Sequence, residues 1–141
     1  MDIKKLLIGG FAGGITFFLL GWLFYGILLM DFMTANSGAS GNVSRPEPDF
    51  MYLLIGNLAI GFLIAYIFIK AGVNSLTAGI LTGAVIGLLM AVGYDCMIYA
   101  TTTTMSKTGM AADVAASTVM MAIAGGIIAI LIGLLTKQRT V

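Results

Sequence analysis

The chain has 141 residues, 60% of them hydrophobic and only 9% charged, with a net charge of +1 and a mean hydropathy of +1.07. A water-soluble domain carries about a quarter charged residues, so this chain lacks the polar surface to cover a soluble globule and must face lipid or other helices. Near-neutral charge argues for neither nucleic acid nor an acidic partner. The absence of histidine removes the commonest general base and metal ligand, and a single cysteine, Cys96, rules out an intrachain disulfide.

Four apolar runs are visible, over residues 6–30, 50–70, 76–99 and 114–135. Each reaches the ~20 residues that cross ~30 Å of hydrocarbon, and all are too long and too evenly apolar for barrel strands. They predict an all-α, integral membrane four-helix bundle forming a single domain. Lys4 and Lys5 precede the first run as they would in a signal peptide. The run is longer than a signal core and no small-residue cleavage site follows, so it reads as an uncleaved span. Its first half holds overlapping small pairs, Gly9/Gly13 and Gly10/Gly14, suited to helix contact. Its second half is aromatic, with Phe17, Phe18, Trp22, Phe24 and Tyr25.

Residues 31–49 are rich in Ser, Gly, Asn and Pro and predict a flexible outer loop. Asn42, Val43 and Ser44 fit a glycosylation acceptor, a match we attribute to chance. Asp49 is placed to cap the second helix, where Asn57, Gly61 and Ala65 form a row four apart. The connection 71–75 is tight and predicts that the second and third helices are antiparallel neighbours, with Asn74 or Ser75 as cap.

The third helix carries Gly79, Gly83, Gly87, Ala91, Asp95 and Tyr99 at intervals of four. Side chains at that spacing lie along one ridge, and a ridge of small residues lets another helix backbone come close in lipid. After a threonine-rich turn the fourth helix repeats the pattern with Ser117, Gly125, Ala129 and Gly133. Gly61 and Ala65 echo Gly125 and Ala129, so the chain reads as two hairpins in a faint parallel repeat of the kind transporters use. Glycine-zipper packing of this kind exceeds what one thin bundle needs internally, which predicts that at least one row faces another subunit.

With both termini on one side, that side holds Lys4, Lys5, Lys70, Lys137 and Arg139 against Arg45 and Lys107 on the other. The excess predicts both termini in the cytoplasm.

Asp95 is the sharpest chemical signal. It lies ~8 Å inside the outer end of its helix, where an ionised carboxylate costs several kcal/mol unless it is protonated, paired or wetted. Asn57 lies at a similar depth, and the expected pocket is Asp95 with Asn57, surrounded by Tyr94, Tyr99, Tyr25 and Trp22. The aromatics serve equally as interface anchors. Asp31 is a further acid able to meet Asp95 near the outer surface. Most methionines fall in the outer half and, with Cys96, could form a soft Cu(I) set. Their spacing gives no Met-x-Met or Cys-x-x-Cys motif, so we read them as flexible filler with no metal or cofactor. Ser106, Lys107, Thr108 and Gly109 end like a phosphate loop but lack its preceding glycines. Neither a Ser/Cys–His dyad nor a paired-carboxylate arrangement can be assembled, so an enzyme is the weakest class.

The run from Gly21 to Leu28, with Trp22 and Tyr25, followed by Phe32 and Met33, resembles the first-span signature of small bacterial four-helix membrane proteins in a domain-of-unknown-function family. That resemblance implies a bacterial inner-membrane protein and transfers no functional residue. Two functions stay open: an outer-leaflet polar pocket that binds or passes a small solute, lipid group or proton, or an assembly subunit joined through its glycines to a homo-oligomer or a larger membrane complex.

Overall fold

The computed structural model describes residues 2–40 and 45–137. Among these the chain is helical, with one isolated bridge between Ser37 and Met105. The triplet 42–44 and Arg139 lie outside the described residues. Four helices are long and apolar enough to cross a membrane.

Helix α1 (Ile3–Leu23) is capped by Asp2, whose carboxylate accepts from Lys5 N at 3.4 Å. It does not run on as a regular helix to residue 30. It widens into a π-turn over Phe24–Leu28, closed by Leu29 N donating to Phe24 O at 2.7 Å, and a short helix α2 (Met30–Ala35) follows. The segment expected to be a flexible loop is therefore partly built. Beyond α2, Gly38 N donates to Thr104 O at 3.2 Å, Ser40 N to Thr103 O at 3.1 Å, and Ser106 N to Asn36 O at 3.3 Å. These bonds clasp the connection to the threonine-rich turn.

Helix α3 (Phe50–Ala71) starts at Asp49, which accepts from Met51 N and Tyr52 N at 3.2 and 3.4 Å. It ends at Gly72, whose φ of +70° is the left-handed stop that glycine adopts without strain; Val73 N then closes on Phe68 O at 2.9 Å. Helix α4 (Leu76–Thr101) is capped by Ser75, and α5 (Lys107–Lys137) begins a turn and more ahead of the apolar run.

The packing differs from the expectation for the tight turn. Helices α3 and α4 are joined by it but scarcely touch; α3 packs on α1, α4 packs on α5, and α5 also lies against α1. The turn fixes only the helix ends, whereas the small-residue rows decide which backbones can approach. A Cβ on Gly61 would run into Gly14 N and Gly10 O, and one on Gly125 would meet Gly79 O at 2.6 Å and Gly83 Cα at 3.2 Å. The two hairpins correspond position by position. A Cβ on Gly14 meets Asn57 O at 3.2 Å as one on Gly83 meets Met121 O, and Asn57 precedes Gly61 as Met121 precedes Gly125.

Between the hairpins lies the core of Phe17, Ile64, Ala65, Phe68, Met121, Ala124, Ile128, Ala129 and Ile132. Gly9 and Gly13 of α1 lie against Ala65 and Ile128, and Gly133 closes on Asn74 O. The rows expected to face another subunit are thus taken up inside the chain. At the end of the helices where the chain begins, Lys5 Nζ donates to Thr136 Oγ1 at 2.8 Å and ties α1 to α5. Large apolar side chains outside the core, such as Leu81, Leu89 and Met97, are exposed, as a lipid-facing surface requires.

Candidate functional site

The buried face of α4 is one row: Gly79, Gly83, Gly87, Ala91 and Asp95. It faces a row on α5 with the same spacing. A Cβ on Gly79 would meet Ala129 and Gly125, one on Gly83 the Met121 backbone, and one on Gly87 would meet Met121 Cβ at 2.5 Å and Ser117 O at 3.1 Å. The antiparallel register that sets these pairs carries on to place Asp95 opposite Gly109 and Asp113.

Asp95 is 1% exposed and its Oδ2 has no hydrogen-bond partner among the described residues. Across the contact Asp113 bears on it as a like charge. Two ionised carboxylates are both acceptors only, so neither can satisfy the other. The Tyr25 hydroxyl bonds Ser117 Oγ, one turn along α5 from Asp113, at 3.2 Å. Asp95 lies six residues before the end of α4 and Asp113 six residues into α5, so each is ~9 Å from its helix terminus.

Above them a cavity of about 680 Å³ opens at the end of the helices far from the chain's beginning. Its floor includes Tyr25 and Asp113; its walls include Met33 of α2, Asn36, Arg45 and Met105. The π-turn and the clasp at residues 37–40 build this cavity, since they bring α2 over the start of α5. Arg45 is exposed and makes no ion pair among the described residues. A volume of this size suits a small ligand, and the lining presents one acid and one base.

Of the residues expected to form the pocket, Asp95 is buried on α4, and Tyr25 lines the cavity and bonds Ser117 of α5. Asn57 lies elsewhere: its amide donates to Leu53 O at 2.7 Å within α3, and its backbone faces Gly14. Trp22 is 59% exposed and Tyr94 67% exposed, and Tyr99 is also turned outward, which suits interface anchors. Asp31 is exposed in the first turn of α2. Sequence reasoning misses Asp113 because the fourth apolar run begins at residue 114. The row of Ser117 and Gly125, extended outward by intervals of four, reaches Asp113 and Gly109. Met30, Met33 and Met105 line the cavity, whereas Cys96 is exposed and outside its lining. Among the described residues no three His, Cys, Asp or Glu side chains gather as metal ligands.

Below Asp95 the pathway closes. Ala91, Gly87 and Gly83 lie against α5 with no room for a methyl group at either glycine without displacing a neighbour, so the polar site is open at one end only. Compared with known proteins, the chain matches no family model, no curated protein and no solved structure.

Proposed function

We propose that this is a small polytopic protein of the bacterial inner membrane, a four-helix bundle with both termini cytoplasmic, whose outward cavity binds a small ligand carrying an ammonium and an anionic group. The observation that supports this reading is the cavity lining, with Asp113 in the floor, backed by buried Asp95, and Arg45 in the wall without an ion-pair partner among the described residues. An ammonium docked on Asp113 beside the Tyr25 hydroxyl would gain a charge-assisted hydrogen bond, and the guanidinium of Arg45 suits a carboxylate or phosphate. Orientation rests on Lys4, Lys5, Lys70 and Lys137 gathering at one end, and the bacterial assignment on the first-span resemblance.

Binding is favoured over passage because the glycine-lined contact beneath Asp95 leaves no polar path. The assembly reading has less support, because the glycine rows that motivated it are engaged within the chain.

Ethanolamine phosphate, free or as a lipid headgroup, carries both groups and serves as the probe. Native mass spectrometry of protein released from phosphatidylglycerol nanodiscs, with free phosphoethanolamine added or with phosphatidylethanolamine included, separates these sources. Retention of phosphoethanolamine points to a soluble solute, and retention of phosphatidylethanolamine alone to a headgroup site. Retention of neither, or retention unchanged by Asp113→Asn, overturns the reading.

A further inference from the structure

We propose that Asp95 and Asp113 together bind one exchangeable proton, held between their carboxyls and reaching water through the cavity floor. The proton site stands on the pair itself; its link to a ligand rests on the cavity reading above.

Three observations carry it. The opposed rows of α4 and α5, in the register set by their glycines, bring the two acids to equal depth at one end of the contact. Asp95 Oδ2 is buried without a partner, which a hydrogen on either carboxyl would supply as an O–H···O bond. Finally, among the described residues no base faces the buried member. The groups around it are Asp113 from α5 and Tyr25 from the π-turn; Tyr94, Cys96 and Tyr99 on its own helix are exposed. Arg45 is exposed in the cavity lining, which does not include Asp95, and Lys107 is exposed at the start of α5. Like charges at this range disfavour joint ionisation, and one proton answers both the repulsion and the orphaned oxygen.

The site then exchanges charge one for one. The pair with its proton carries one negative charge. An ammonium arriving at Asp113 replaces the proton, which leaves through the cavity to water, and the pair with its docked ammonium again carries one negative charge. Because ligand and proton compete, affinity rises with pH, approaching tenfold per pH unit while one proton is released per ligand bound.

Infrared spectroscopy of the ligand-free protein in phosphatidylglycerol nanodiscs tests the proton directly. The expected result is a protonated-carboxyl carbonyl band at neutral pH that shifts promptly in D2O and is lost in both Asp95→Asn and Asp113→Asn. Absence of the band in the unsubstituted protein, or its persistence in both variants, overturns the proposal without recourse to a ligand. Phosphoethanolamine titrated in buffers of different ionisation heat then reads the exchange, with one proton released per ligand expected. The band present with no ligand bound would support the proton site and overturn the cavity reading.

Discussion

The two hairpins are built alike and end differently. In α1 with α3, glycines 10, 14 and 61 bring the backbones together; in α4 with α5, glycines 79, 83 and 125 occupy the matching positions. Carried outward by the same intervals, Asp95 and Asp113 of the second hairpin correspond to Gly26 and Asp49 of the first. Gly26 falls in the π-turn and Asp49 caps a helix in water, bonding backbone N–H groups. One hairpin therefore completes its contact as a helix pair, and the other turns the end of the contact into a buried acid pair. Close packing and chemistry occupy successive positions of one row, and the register set by the glycines positions the carboxyls.

The largest test of this likeness attacks the shared packing. Gly83→Ile and Gly14→Ile should each cost about 3 kcal/mol or more, the upper end of overpacking effects, because the added atoms meet backbone at Met121 and at Leu58. Thermal unfolding in detergent reads this, and a variant that melts like the parent would mean the helices can part without loss. The next tests separate the hairpins. Asp113→Asn should weaken phosphoethanolamine binding at least tenfold, about 1.4 kcal/mol, while Asp49→Asn in the corresponding position, itself a good cap, should leave binding unchanged. Equal losses in the two variants would remove the functional distinction. A smaller effect of opposite sign is expected at Gly56, where an added Cβ would meet nothing within 4 Å. Gly56→Ala should stabilise the helix by about 0.5–1 kcal/mol, read as a higher melting temperature in the same detergent; an unchanged or lower one would count against an open lipid-facing position. Smallest of all, Tyr94→Ala should leave ligand binding within twofold, as its side chain faces away from the cavity; a larger change would return it to the site.

The sequence shows four spans and both small-residue rows directly, because apolar length and a four-residue interval survive in any membrane helix. Asp95 stands out for the same reason, as a charge in an apolar row. Asp113 does not, because Lys107, Thr108 and Asp113 break the apolar run while leaving the helix intact; the interval rather than the hydropathy marks it. The partnership of α3 with α1 runs against the tight turn at 72–75, since chain proximity constrains helix ends and says little about faces. The π-turn has no periodic signature, and the clasp between residues 37–40 and 103–106 rests on backbone bonds that side chains do not announce.

The π-turn has a consequence at the level of the gene. It accommodates one residue more than an α-helical turn, and by absorbing that surplus it keeps the angular phase of everything after it. Relaxing Phe24–Leu28 to ordinary helix with no residue lost would rotate α2 by ~100° about its axis, swinging Met30 and Met33 off the cavity wall, whereas deleting a single codon there would remove the surplus and keep that phase. A deletion of that kind would spare the pocket, while the same loss in a regular turn of α1 would put the two sides of the helix out of register.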